Sequence, residues 1–123
     1  MGDLVRWFRA VLDEGERVAR EACHGGNGRW RQIDEESGRV EDDLGAVVTY
    51  DEGAPTGWEA EHIAKHDPAY VLADIAAKRR LLDAMEEPTT AANVAEEEGL
   101  IRAVRIIASA YSHRDGYQEA WRP

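Results

Sequence analysis

Cysteine is nearly absent from this sequence. Cys23 is the only one among 123 residues, so the chain can form no internal disulfide and no zinc site built from several cysteines. A lone thiol is typical of proteins that work in a reducing compartment. The cysteine content therefore predicts a cytoplasmic protein.

Long apolar stretches are missing as well. The two longest, 44–48 and 106–111, are interrupted by a glycine and a serine and fall far short of the roughly 20 residues that cross a bilayer. The first residues show no basic segment followed by an apolar one, and Arg6 stands where a myristoylation signal has Ser or Thr. We expect no export signal and no membrane partner.

Positive charge is scarce. Fifteen Lys and Arg face 25 Asp and Glu, which gives a formal net charge of -10. Such a protein repels phosphate backbones, so direct binding of nucleic acid is not expected. The acidic clusters could instead mimic a nucleic-acid strand and block a DNA- or RNA-binding protein, although such runs are more often solvated faces. These clusters are Asp13-Glu14, Glu35-Glu36, Glu41-Asp42-Asp43 and Glu96-Glu97-Glu98.

Helical patterns dominate what is present. Apolar residues recur at helical spacing in three long segments and one short segment. The predicted helices span 3–23, 58–65, 68–87 and 96–111. Asp3 is expected to cap the first helix. Asp67 and Pro68 are expected to begin the helix at 68–87, because Asp suits the N-cap and Pro the first helical position.

A small β region is predicted between residues 29 and 50. Three short stretches with β character are separated there by turn residues, which indicates an antiparallel hairpin or a three-stranded meander. A sheet this small needs a helix packed on one face to be stable. The sequence therefore predicts an α+β, mainly helical fold, a single domain over 1–123 in which three principal helices cover the sheet.

The last segment, 112–123, is polar but carries Tyr117 and Trp121. A disordered tail has little reason to keep two large rings. We expect the tail to dock on the body of the protein near Lys78 and Arg79.

Lys78 and Arg79 lie inside or at the rim of the apolar stripe of the helix at 68–87. Two interpretations are open. Their long stems can cover the edge of the core while the charges stay in water. Alternatively, they form a partly buried ion pair with a tail carboxylate such as Asp115 or Glu119.

Two histidines form the densest group of candidate metal ligands. His62 and His66 lie four residues apart on one side of the short helix, a spacing at which two imidazoles can share one ion. The glutamate that follows the first histidine in zinc proteases is missing. A metal site would take His113 as its third ligand; the alternatives are Cys23, His24 and Asp115. The competing interpretation is a capped helix with a packed interface.

Ile106 points away from the apolar arc of the last helix and stands beside Arg102 and Arg105. An exposed isoleucine flanked by arginines can mark an interaction surface. Single exposed apolar residues are also ordinary on protein surfaces. Both interpretations stay open at this point.

Several short strings carry a resemblance to a known family. They are His62-Ile63-Ala64-Lys65-His66-Asp67-Pro68-Ala69, then Lys78-Arg79-Arg80, and a tail that ends Trp121-Arg122-Pro123. The chain resembles a family of small uncharacterised proteins of actinobacteria and their phages. In two places it departs from the family pattern: Arg29 replaces the proline before Trp30, and the tail between His113 and Tyr117 is longer. The resemblance implies an origin and no activity.

No catalytic constellation is recognisable. Cys23 lies at a helix C-terminus, the end of a helix that does not activate a thiol, and the glycines at 25–28 follow a helix rather than the strand that a nucleotide-binding turn requires. We therefore expect a non-enzymatic accessory or regulatory protein without a cofactor, which binds another protein or a second copy of itself. A phage protein acting on a host factor would fit. The alternatives are a metal-dependent activity at His62, His66 and His113, and the acidic mimic.

Overall fold

The computed structural model describes residues 2–88 and 93–123. These residues form four α-helices and a three-stranded antiparallel sheet, so the predicted α+β, mainly helical fold is confirmed. Of the two arrangements predicted for the sheet, a hairpin or a three-stranded meander, the structure has the meander, with strand order β1-β2-β3. The elements are α1 (Gly2–Ala22), β1 (Trp30–Gln32), β2 (Val40–Asp42), β3 (Val47–Thr49), α2 (Gly57–Lys65), α3 (Pro68–Glu86), α4 (Val94–Ser109) and a 3-10 turn (Glu119–Trp121).

The contacts divide the chain into two compact units. The first unit comprises the residues up to Asp13 together with 76–123, and the second unit comprises 14–75. The long helices α1 and α3 each contribute residues to both units. The sheet and α2 belong to the second unit, and α4 and the tail belong to the first.

In the second unit, α2 packs against β1 and β2. This is the helical cover that a sheet of three-residue strands needs. Val40 of β2 and Ala60 of α2 are fully buried. The side-chain amide of Gln32 donates hydrogen bonds of 2.8 Å to the carbonyl oxygens of both Ser37 and Gly57. Gln32 thus ties the β1–β2 turn to the first residue of α2.

Asp67 has two structural tasks in the second unit. Its Oδ1 accepts a hydrogen bond of 2.8 Å from the backbone N–H of Tyr70, as an N-cap does. Its Oδ2 accepts one of 3.0 Å from the backbone N–H of Trp30. The same carboxylate therefore begins α3 and holds β1. The expected N-cap of α1 is wrong: the helix starts at Gly2, and Asp3 lies in its first turn, where it pairs with Arg6.

The core of the first unit is built from helical stripes. Leu4, Phe8 and Leu12 recur every four residues along α1 and are almost completely buried. Buried residues from the other elements of this unit are Leu82, Met85, Val104, Ala108 and Trp121. The ring of Phe8 lies 5.4 Å from that of Tyr111, between centroids. Apolar burial of this kind is the main source of stability in a small domain.

The tail packs on Trp7 of α1 within the first unit. The indole Nε1 of Trp7 donates a hydrogen bond of 2.8 Å to the carbonyl oxygen of Asp115. The Trp7 ring lies 5.4 Å, between centroids, from the rings of both Tyr117 and Trp121. Gly116 sits so close that a Cβ there would lie 3.0 Å from the indole. Aromatic pairs at these distances attract each other beyond the area they bury.

Lys78 and Arg79 find partners inside the first unit. The Lys78 ammonium donates a hydrogen bond of 2.6 Å to the hydroxyl of Tyr111 and lies 4.9 Å from the centre of that ring. The Arg79 guanidinium pairs with Asp13 at 2.6 Å. Glu119, one of the two carboxylates considered for them, pairs with Arg122 in its own turn.

Candidate functional site

The helix that carries the two histidines begins with a capping box. The Thr56 hydroxyl oxygen accepts a hydrogen bond from the backbone N–H of Glu59, and the Glu59 carboxylate accepts one of 2.9 Å from the backbone N–H of Thr56. Each group satisfies a donor that the first helical turn leaves free. The box therefore fixes where α2 starts and which way its side chains face.

We expect the capping box to be visible in a titration of Glu59. The hydrogen bond from the Thr56 backbone N–H, and next the Thr56 side chain, lower the pKa of this carboxyl. A lowered pKa in the folded state means that the stabilisation is present above the unfolded pKa and is lost as the pH falls through the folded one. Carbon-detected NMR should give a Glu59 midpoint below the ordinary glutamate value, and Thr56→Ala should raise it part of the way back. A midpoint at the ordinary value in the unmodified chain would contradict the capping box.

His62 and His66 stack on each other at the end of α2. Their ring centroids lie 4.2 Å apart, with the planes tilted by 31°. The Nδ1 of His66 lies 2.8 Å from the carbonyl oxygen of His62. Because a carbonyl oxygen only accepts hydrogen bonds, this contact fits the neutral tautomer of His66 with the proton on Nδ1 and the lone pair on Nε2. A histidine anchored in this way presents Nε2 as a ligand atom.

Within residues 2–88 and 93–123, no group of three or more His, Cys, Asp or Glu side chains is arranged to hold a metal ion. His113 is exposed and belongs to the first unit, whereas His62 and His66 belong to the second. The ring next to His66 is instead that of Tyr70, at 5.5 Å between centroids. Metal binding at His62 and His66 stays a prediction.

The residues predicted on α4 do come together in the first unit. Val104 and Ala108 are buried on one face of the helix, while Ile106 on the opposite face is 52% exposed. Ile106, Arg102 and Arg105 line a shallow cavity of about 400 Å³ together with Glu98, Ile101 and Pro123. These six residues are called the α4 surface below.

Both arginines of the α4 surface lack a carboxylate partner within the described part of the chain. The Nε of Arg105 is buried and has no hydrogen-bond partner there. Other arginines of the same unit are paired: Arg9 with Asp83 and Glu86 through hydrogen bonds that raise its pKa, and Arg79 with Asp13. A buried donor left without an acceptor is unfavourable. An incoming acceptor would remove that penalty.

The sequence alone does not single out Asp42 as a site residue. Asp42 was expected in a solvated acidic cluster, yet it is a buried residue directly opposite Trp30 in the sheet. The one sequence signal for the burial of Asp42 is its spacing of two residues from Val40. In a strand, residues two apart face the same way, and both Val40 and Asp42 of β2 are buried. The pairing of Asp42 with Trp30 depends on strand register, which the sequence pattern leaves open.

No helix in the described ranges is long and apolar enough to cross a membrane. Neither a curated protein nor a solved structure matches the chain. The model of one protein family, described as a family of unknown function, matches residues 1–123. The chain therefore belongs to this family, DUF6221.

Proposed function

We propose that this protein is a cytoplasmic accessory or regulatory protein that works by binding another protein through the α4 surface. The observation that carries the proposal is the exposed Ile106 between two arginines that have no carboxylate partner in the described residues. The bound segment would present one large apolar side chain flanked by carboxylates. A phage-encoded protein that acts on a host factor is one form of this proposal.

Charge distribution favours an acidic segment. The chain carries 25 Asp and Glu and a net charge of -10, so most of its surface repels an acidic partner. Arg102 and Arg105 offer two guanidinium groups, which can each bind a carboxylate through paired hydrogen bonds. Repulsion elsewhere then guides the segment to the α4 surface and sets its orientation there.

The apolar part of the α4 surface supplies affinity. Ile106 and Ile101 line the cavity beside Pro123, and apolar side chains covered at the centre of an interface contribute most of its binding energy. The cavity is open and shallow, which suits a peptide segment or a protein ridge. We therefore expect Ile106 to be the residue whose loss weakens binding most.

This proposal predicts that Ile106→Asp weakens binding at least about tenfold. The assay would select binders from a random peptide library displayed on yeast and then measure affinities of the enriched peptides by fluorescence polarisation. We expect enriched peptides to carry Asp or Glu next to a large apolar residue. Val18→Asp is the matched control, because Val18 on α1 is also 52% exposed but lies in the second unit. It should bind as the unmodified chain does.

The dependence of binding on salt concentration distinguishes the α4 surface proposal from the acidic mimic. Exposed ion pairs weaken as salt screens them, whereas the contact of Ile106 does not, so binding should persist at high salt with reduced affinity. Peptides without an acidic and apolar pattern, or equal binding by Ile106→Asp, would contradict the proposal. Basic ligands lost at high salt and indifferent to Ile106→Asp would favour the acidic mimic instead. Binding between two copies of the chain would appear as a concentration-dependent mass in sedimentation.

A further inference from the structure

A cavity of about 460 Å³ opens between the end of α1 and the sheet of the second unit. Its walls are mainly apolar, from Val47, Val48 and two alanines. Trp30, Asp42 and His24 complete the lining. A volume of this size is enough for a small organic molecule. We call it the Trp30 cavity.

Trp30 and Asp42 are direct neighbours across the sheet. They are Cα partners in the antiparallel pairing of β1 with β2, so their side chains emerge on the same face, with Cβ atoms roughly 4.5–5.5 Å apart. An indole ring and a carboxylate side by side are complementary to a positive charge. The ring attracts a cation through its π face, and the carboxylate accepts its hydrogen bonds.

The two oxygens of the Asp42 carboxylate differ in their hydrogen bonds. Asp42 is 8% exposed. Its Oδ1 accepts hydrogen bonds of 2.9 Å from the backbone N–H of Leu44 and 2.8 Å from that of Ala46. Its Oδ2 has no hydrogen bond or ion pair from any residue that the structure describes. Because Asp42 lines the Trp30 cavity, a ligand bound there can supply a donor to this carboxylate.

A second cavity, of about 370 Å³, shares Trp30 and Asp42 but also has Arg29, Arg31, Glu41 and Asp43 in its lining. There the two guanidinium groups compete with a cationic ligand for the carboxylates. In the Trp30 cavity the only other titratable side chain is His24. In the lining of the Trp30 cavity, no Arg or Lys competes with a cationic ligand for the Asp42 carboxylate.

We propose that the Trp30 cavity binds a small organic cation, a primary ammonium carried on an apolar body. The ammonium donates a hydrogen bond to Oδ2 of Asp42 and lies against the Trp30 ring, and the apolar body covers Val47 and Val48. This site goes beyond the proposed protein binding, because it lies in the second unit and uses a negative charge where the α4 surface uses positive ones.

The test uses phenethylammonium as the probe and phenethyl alcohol as its neutral counterpart of equal size. Binding is followed by amide and indole NMR shifts, with Leu44 and Ala46 as reporters of the Asp42 turn. We expect phenethylammonium to shift these signals and phenethyl alcohol to bind at least about tenfold more weakly, because a hydrogen bond to a charged group is worth more than a neutral one.

Asp42→Asn separates charge from structure. The asparagine oxygen can still accept the hydrogen bonds from Leu44 and Ala46, so the turn is kept while the negative charge is lost. Affinity for phenethylammonium should fall about tenfold or more. Asp43→Asn removes the same charge one residue later, outside the lining of the Trp30 cavity, and should change little.

Three results would overturn the proposal. They are no shift with phenethylammonium at millimolar concentration, equal binding by Asp42→Asn, and shifts confined to residues outside the Trp30 cavity. The comparison of ammonium with alcohol uses the unmodified chain, so it decides the matter even where Asp42→Asn fails to fold. Ile106→Asp should leave probe binding intact, which keeps this test independent of the α4 surface.

Discussion

Replacing Trp121 with alanine should lower the free energy of unfolding by about 3–5 kcal/mol, the usual loss when a buried tryptophan is truncated. Trp121 is 9% exposed although it lies only two residues before Pro123 in the sequence. Its ring lies 5.4 Å from that of Trp7 and 5.7 Å from that of Tyr117, between centroids. The substitution removes one of these three mutually contacting rings and leaves a cavity beside Trp7 of α1.

Trp58→Ala is the matched control for Trp121→Ala. Trp58 is 85% exposed, so its removal should change the free energy of unfolding by no more than about 0.5 kcal/mol. Urea unfolding followed by circular dichroism measures both variants. Trypsin should also cleave after Arg114 faster in Trp121→Ala, because the tail is then held less firmly. Equal midpoints for the two variants would show that the tail contributes nothing to stability.

The docking of the tail illustrates what the sequence can and cannot predict. Two large rings in a polar segment were enough to predict that 112–123 packs on the body of the protein. Nothing in the sequence singles out Trp7 as the residue on which the tail packs. Helical periodicity tells which face of α1 is apolar, but it does not tell which distant segment covers a ring beside that face. Such a pairing is decided by tertiary geometry.

The sheet likewise has one feature that the sequence predicts, its strands, and one that it does not, their register. Turn residues and short β stretches predict a hairpin or a three-stranded meander between residues 29 and 50, and the structure has the meander. Register could not be predicted, because the pairing of β2 with β3 is shifted between Val40 and Glu41 and strands of three residues carry little alternation. The acidic run Glu41-Asp42-Asp43 by itself suggests either a solvated face or a nucleic-acid mimic. Only the register places Asp42 beside Trp30.

The net charge predicts that the surface is acidic on average. It does not indicate the local charge of the α4 surface or of the Trp30 cavity. A net charge of -10 argues against binding acidic partners on average. The α4 surface nevertheless presents two arginines without carboxylate partners in the described residues. The Trp30 cavity has the opposite character, with a buried carboxylate and no Arg or Lys in its lining. Local charge, set by the fold, decides which ligand each site can take.

Gly38→Ala should be the other strongly destabilising change, by about 3 kcal/mol, because it overpacks a buried site. A Cβ at Gly38 would overlap the carbonyl oxygen of Pro55 and lie 3.2 Å from its carbonyl carbon. The Gly38 carbonyl oxygen also accepts a hydrogen bond of 2.6 Å from the Thr49 hydroxyl. The new methyl group would therefore clash with the backbone of Pro55. Gly38 cannot easily move away, because Thr49 of β3 is hydrogen-bonded to it.

The same substitution at Gly99 should have the opposite sign. Gly99 lies inside α4, and a Cβ there would meet no atom within 4 Å. Alanine loses less conformational entropy than glycine when a helix forms, so Gly99→Ala should stabilise the protein by about 0.5–1 kcal/mol. Urea midpoints of the two variants, compared at equal slope, measure the difference. If both shift in the same direction, the close approach of Gly38 to Pro55 is wrong, since chain entropy alone would favour alanine at either position.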